Sequence, residues 1–402
     1  MSGTGTGPEQ WLNEEDSLDS LTISNTLSKR SGHEDFEMTT AYYEDLKDRK
    51  NDAISNEMIQ NGDLVLDTYK VTSDAISGGM GSVWRVHHSG WDTDLAMKRP
   101  QPRYFSEGSD KAKKRFVEEC ENWINLGLHP NIVSCYYVRE IGGVPTIFSE
   151  WMDNGSLSDR IKDGALYEGS EDEVQERILN IAVQAAGGLQ HSHENNLIHQ
   201  DMKPGNLLLT GEWGAKVADF GLAKAKSGLG GQSETAKTSG YTIAYCPAEQ
   251  ADLEEPARWM DIYAWALTVL TMYAGKVLWA SGAEAKENLE EYFAQCSHPI
   301  PDKMKALLKS CLTDKPDTFH GIKKRLLEIY RELTDNDYED IDFSGLSDSA
   351  ENLNNRALSF LDLRQEEDAE KCWETALAKN PDHTESVINN ILFKWYYNPK
   401  VV

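Results

Sequence analysis

Asp201, Asn206 and Asp219 are the residues whose types and spacing point to chemistry. They lie in Leu197-Ile198-His199-Gln200-Asp201-Met202-Lys203-Pro204-Gly205-Asn206 and in Asp219-Phe220-Gly221, with thirteen positions from Asn206 to Asp219. Between them, Leu207-Leu208-Leu209 and Ala215-Lys216-Val217-Ala218 read as two short strands joined by a turn at residues 212–214. Such a hairpin brings Asn206 and Asp219 to the same end of one sheet. Two oxygen donors converging there suit Mg²⁺, a hard cation that takes carboxylate and carbonyl ligands and commonly shares them with substrate phosphates. Asp201 then stands clear of the metal, placed to accept a proton.

The elements that must hold these groups flank them. Residues 173–194 have helical periodicity, with Ile178, Ile181, Ala182, Ala185 and Leu189 on a buried face, and they lead into the Asp201 loop. His191 and His193 have no metal-ligand spacing and read as structural. Downstream, Ile262 to Ala274 is the longest nearly apolar run; it is too short to span a bilayer and reads as a core helix. Further helices are expected at about residues 284–295, 302–311 and 321–334. Upstream, residues 64–66 and 69–71 look strand-like. Gly78, Gly79 and Gly81 then form a loop between two strands, where the backbone can approach phosphates closely. Leu95-Ala96-Met97-Lys98 reads as a strand. Lys111 to Leu126 carries a helical stripe of Phe116, Cys120, Trp123 and Leu126, stopped by His129-Pro130.

As a set, these motifs resemble those of Ser/Thr protein kinases over about residues 64–334. The Asp201 segment matches the catalytic loop H-R-D-x-x-x-x-N, and Asp219-Phe220-Gly221 matches its metal-binding partner motif. An α+β, bilobal protein-kinase fold is implied, with a β-rich N-lobe and a helical C-lobe. The implied reaction is in-line transfer of the ATP γ-phosphoryl to a Ser or Thr hydroxyl, driven by positioning and charge neutralisation. Asp201 would orient and deprotonate the hydroxyl, Lys203 would stabilise the transferring phosphoryl, and Asn206 and Asp219 would hold Mg²⁺. Lys98 would grip the α and β phosphates, locked by a glutamate on the 111–126 helix; Glu119 is chosen, with Glu118 and Glu121 as competitors. The nucleotide would further meet Ile76, Gly78, Gly79, Gly81, Val83 and Ala96, and backbone groups of the Glu150–Met152 hinge. Ser149 falls where access to the back of the pocket is controlled, so bulky purine analogues should be tolerated. Thr242, seven residues before Glu249, matches the threonine that touches the catalytic Asp and Lys; with Lys203 it favours Ser/Thr over Tyr. Cys246-Pro247-Ala248-Glu249 resembles the A-P-E element with Pro and Ala transposed, and Asp261 fits the residue that braces the catalytic loop.

Three positions depart from the family pattern. Ile76 stands where the first loop glycine belongs. Gln200 replaces the arginine that usually pairs with a phosphorylated activation segment, so activity should not depend strongly on phosphorylation of Thr235, Thr238 or Ser239. Phe319 stands where an arginine usually pairs with Glu249, so Glu249 is expected to be exposed or to find another partner. These departures favour an alternative, a nucleotide-binding pseudokinase scaffold. Lys98, Asp201, Asn206 and Asp219 favour the enzyme. A small-molecule kinase fits the long segment 222–246 less well.

Composition sets the remaining expectations. The 402 residues carry a net charge of −27, which argues against nucleic-acid binding and against an anionic membrane surface, and favours basic partners. The six cysteines form no C-x-x-C pair and read as buried thiols of a reducing compartment. No signal peptide is visible, so a cytosolic location is expected. Residues 1–63 read as an acidic, disordered tail, 335–350 as an acidic linker, and 351–402 as a short α-helical, tetratricopeptide-like repeat for partner binding. Leu353, Ala357, Phe360, Ala369, Trp373, Ala376 and Pro381 carry that pattern, and Arg356 breaks it. A second unit starts at Thr384; either the natural chain continues or the repeat packs on the kinase domain.

Overall fold

A computed structural model describes residues 59–77, 81–100, 110–142, 144–220, 224–225, 243–252, 255–339 and 349–397. Period-two alternation builds the N-terminal sheet from β1 (Leu64–Val65), β2 (Tyr69–Val71), β3 (Ile76–Ser77), β4 (Gly81–His88), β5 (Thr93–Pro100), β6 (Cys135–Ile141) and β7 (Val144–Glu150). The strand order is β1-β2-β4-β5-β7-β6, with β3 paired to β4. Trp84, Val86, Leu95, Met97 and Phe148 share one apolar core with Val65, Tyr69 and Val71. Their neighbours Val83, Ala96, Lys98, Ile147 and Ser149 alternate onto the other face, as the pleat requires. Ile59 is buried in the same core, so the packed region includes a residue of the stretch 1–63 read as a tail.

The helix α1 (Asp110–Leu126) crosses behind this sheet. Its stripe of Phe116, Cys120, Trp123 and Leu126 is buried as its spacing predicts. Beyond β7 the chain turns helical: α2 (Leu157–Lys162), α3 (Glu171–Glu194), α4 (Ala248–Ala251), α5 (Arg258–Ala274), α6 (Gly282–Ala285), α7 (Leu289–Gln295), α8 (Asp302–Thr313) and α9 (His320–Thr334). Short strands β8 (Leu197–Ile198), β9 (Leu207–Leu209), β10 (Ala215–Val217) and β11 (Lys224–Ala225) lie between α3 and α4. Ser170 and Glu173 close a capping box at the start of α3. Apolar nearly all round, α5 is buried along nearly its whole length and stops at Gly275 in a left-handed cap.

One expected helix is broken. Residues 284–295 do not run as a single helix; a 3-10 turn at Lys286–Asn288 separates α6 from α7. Gly282 lies so close to the chain at Cys246 that an added Cβ would stand 2.6 Å from the Cys246 carbonyl oxygen. Past the turn, α7 buries Leu289 and Phe293.

Three C-terminal helices follow: α10 (Ala350–Asp362), α11 (Glu366–Lys379) and α12 (Thr384–Tyr397). Of these, α10 lies along β6 and against α1, and α11 and α12 pack on α10. The molecule is therefore a bilobal α+β protein with an added helical unit. No helix among the described residues is long and apolar enough to cross a membrane.

Candidate active site

The Asp201 loop is fastened from below by the buried carboxylate of Asp261, at the start of α5. Its Oδ2 accepts the His199 amide at 2.8 Å and lies 2.7 Å from His193 Nε2; its Oδ1 accepts the Gln200 amide at 2.7 Å. Burial works against its charge, but the bond and charge of His193, with His199 and the Gln200 amide, outweigh this and hold it below the usual carboxylate range. Gln200 sits at φ 66°, a conformation non-glycine residues adopt only when their surroundings enforce it. Gln250 Nε2 donates to its carbonyl at 2.6 Å and helps to do so.

His199 ties the loop to the residue before Asp219. Its Nδ1 accepts the Asp201 amide at 3.2 Å, and its Nε2 lies 2.9 Å from the Ala218 carbonyl. Nδ1 as acceptor and Nε2 as donor satisfy both. The hairpin β9–β10 pairs in the register Leu207↔Val217, and the Ala218 amide donates to the Asn206 carbonyl at 2.9 Å. Asn206 and Asp219 thus sit at one end of the hairpin.

Above the loop, Asp201 Oδ2 accepts Lys203 Nζ at 2.6 Å and Asn206 Nδ2 at 3.0 Å. Asn206 Nδ2 also donates to the Asp201 carbonyl at 2.8 Å. Both bonds use the side-chain nitrogen, so Asn206 Oδ1 is the atom suited to a cation. Asp219, at φ 64°, keeps 36% of its side chain exposed. Hard oxygen donors of this kind fit Mg²⁺. Among the described residues no group of three His, Cys, Asp or Glu forms a self-contained metal cage. An ion shared with substrate phosphates needs none.

The opposite wall comes from the sheet. Lys98 Nζ lies 2.6 Å from Glu119 Oε1 and 3.1 Å from Asp219 Oδ1, joining β5, α1 and the Asp219 turn. Burial opposes the ammonium, but the Asp219 and Glu119 carboxylates more than offset it and raise Lys98 above its ordinary value. The competing glutamates are engaged elsewhere: Glu118 is 3.9 Å from Lys114 on the surface, and Glu121 accepts from Gln365. Register aligns Ile76 with Val83, Val83 with Lys98, and Ala96 with Ser149. Cys135 lies opposite Ser149 on the other side, so three small side chains stand in a row across the sheet. Ile76 is exposed, and Met152 is buried just past β7. The Glu150 side chain accepts the Ser134 amide at 2.7 Å and pairs with Lys216 at 2.8 Å, which leaves its backbone as the part able to meet a nucleotide.

Gly81 has a structural reason beyond phosphate approach. An added Cβ would lie 2.1 Å from the Arg99 carbonyl oxygen, so β4 and β5 can pair there only with glycine. Gly78, Gly79, Thr242, Thr235, Thr238 and Ser239 lie outside the described residues.

The expected rescue of Glu249 is found: Lys315 Nζ lies 2.5 Å from its Oε1. That bond holds the carboxyl below its usual range, against the smaller effect of burial. Lys315 also sits 4.4 Å from the Trp259 ring centroid. Phe319 is buried and packs edge-on against Trp265 at 5.9 Å and beside His193 at 5.6 Å. Sequence reasoning did not find Lys315, Gln250 or Lys216; each pairs with a residue more than forty positions away and has no local signature.

These residues meet between the sheet and the helical lobe, and the protein kinase domain model matches residues 69–328. The chain belongs to that family. It is 30% identical over 209 residues to the receptor-interacting serine/threonine-protein kinase 3 of Rattus norvegicus, covering 50% of this chain and 40% of the relative. Over 290 residues it is 28% identical to the probable serine/threonine-protein kinase PknB of Lactococcus lactis, covering 69% and 43%. Serine/threonine-protein kinase PrkC of Bacillus subtilis is 28% identical over 217 residues, covering 54% and 32%. The chain spans less than half the length of each of these relatives.

Proposed function

We propose that the chain is a Ser/Thr protein kinase that transfers the γ-phosphoryl of Mg-ATP to hydroxyls of protein substrates. The observation that carries this reading is the Lys98 ammonium held between Glu119 and Asp219. It places a fixed positive charge beside the carboxylate suited to Mg²⁺. Bound Mg²⁺, held by Asn206 and Asp219, would supply charge neutralisation at the β and γ phosphates. Asp201 would orient the substrate hydroxyl and take its proton. Lys203, already 2.6 Å from Asp201, would follow the phosphoryl as charge develops on it. Ile76, Val83, Ala96 and the backbone of Glu150 to Met152 would enclose the purine. With Lys203, Thr242 would favour Ser and Thr as acceptors. The charge of −27 favours basic substrates by steering. A further partner at the C-terminal unit would meet α11 and α12, since α10 is committed to the N-lobe.

The test is γ-phosphate transfer from Mg-ATP to the chain itself and to a generic basic protein. Asp201→Asn and Asp219→Ala should each lower the rate by roughly 10²-fold or more. Absence of transfer by the unaltered chain, under conditions where it binds ATP, would overturn the reading. Ser149 gives a second check. Purine analogues with bulky substituents should compete with ATP, and Ser149→Phe should abolish that competition; analogues that do not compete with the unaltered chain remove Ser149 from the pocket.

A further inference from the structure

The C-terminal unit closes the last edge of the N-terminal sheet. Its terminal strand, β6, would present amides without ladder partners, a liability that proteins must cover. Two buried side chains of α10 cover it. The Val138 amide donates to Ser359 Oγ at 3.0 Å, and the Glu140 amide donates to Asp362 Oδ2 at 3.2 Å. Spaced by three, Ser359 and Asp362 lie on one face of the helix. Arg139 Nε stands 3.2 Å from Asp362 Oδ2, and Arg364 reaches Glu140 Oε1 at 3.1 Å.

The same unit grips α1. Arg356 Nη2 donates to Asn125 Oδ1 at 3.1 Å, and Gln365 Nε2 donates to Glu121 Oε1. Glu121 is two residues from Glu119 on the helix that carries the partner of Lys98. Ala357, Phe360 and Leu361 share one apolar core with Phe116, Cys120 and Trp123 of α1.

We propose that this unit is a built-in brace for α1, with Arg356 and Gln365 as positioning residues that act through α1 to keep Glu119 on Lys98. The inference rests on the kinase reading for its functional meaning. A buried ion pair is favourable only while its geometry is held, and α1 is held against β6 and β7 on one side and α10 on the other. The bonds from the unit named above end on β6 and α1.

The full chain is compared with Arg356→Ala/Gln365→Ala by hydrogen exchange over residues 116–126 and by kcat and KM for ATP. Exchange in α1 should rise, and kcat/KM should fall roughly three- to thirtyfold. Glu121→Ala removes the Gln365 contact from the other side; it should reproduce part of the effect and combine with Gln365→Ala less than additively. It also serves if the double variant does not fold. Equal α1 exchange in the unaltered chain and in the variants overturns the brace, as does faster exchange confined to residues 350–397 with unchanged kinetics. If the unaltered chain transfers no phosphate, the kinase reading fails alone, because exchange in α1 still decides the brace.

Discussion

Two acidic residues anchor two segments beside the same cleft, and they are built in opposite ways. Asp261 is 0% exposed and takes bonds from His193, His199 and Gln200. Glu249, whose side chain is 22% exposed, holds one lysine whose own side chain is 47% exposed. A charge taken wholly out of water is tolerated only when its lone pairs are filled by donors. Asp261 meets that condition and so becomes a rigid post for the loop carrying Asp201. Glu249 never leaves solvent far behind, so its pair with Lys315 is replaceable and screened by salt. The difference teaches that this molecule fixes the loop carrying Asp201 firmly and tethers the segment around residue 249 softly.

The sharpest way to break the comparison is Asp261→Ala. It strands the His199 and Gln200 amides and His193, and should cost roughly 3–5 kcal/mol in denaturant unfolding. A loss below about 1 kcal/mol would place Asp261 in the same class as Glu249. Acid titration sharpens the contrast. Both carboxyls titrate below their ordinary values in the folded chain. Their stabilisation is thus present above an unfolded value of about 4 and lost as pH falls through the folded one. Stability of the unaltered chain should therefore drop below about pH 4, with a slope that Asp261→Ala and Glu249→Ala each flatten. The smallest effect is expected from Glu249→Ala itself, at most about 1 kcal/mol at low salt, shrinking as salt is added. A larger, salt-insensitive loss would show that the soft tether is a firm one.

Much of the site was legible because its signals are local. The hairpin from Leu207 to Val217 follows from alternation and a turn, so Asn206 and Asp219 had to meet. Glu119 lies three residues from Phe116 on a helix whose buried stripe is readable, which places it toward the sheet. Phe319 in place of an arginine announced that Glu249 needed another partner, but nothing near Glu249 named Lys315. Packing of the C-terminal unit on the kinase domain was one of the two expected outcomes, but the face and partners of α10 were not legible. Ser359 and Asp362 look like ordinary polar positions of a helix, and only the misfit of Arg356 in the repeat pattern hinted that this face meets something polar. Gly81 was read for phosphate approach, while its need for glycine at the Arg99 crossing depends on a strand eighteen residues away, from 81 to 99.

By itself the sequence determined which short elements form and where Asp201, Asn206 and Asp219 fall on them, because period-two and period-3.6 patterning and turn chemistry act over a few residues. Only the tertiary structure decided which charges are desolvated and by whom they are answered: Asp261 by His193, Glu249 by Lys315, the β6 amides by Ser359 and Asp362. Burial and hydrogen-bond satisfaction are properties of groups brought together from distant parts of the chain, and the same polar residue is solvated in one arrangement and essential in another.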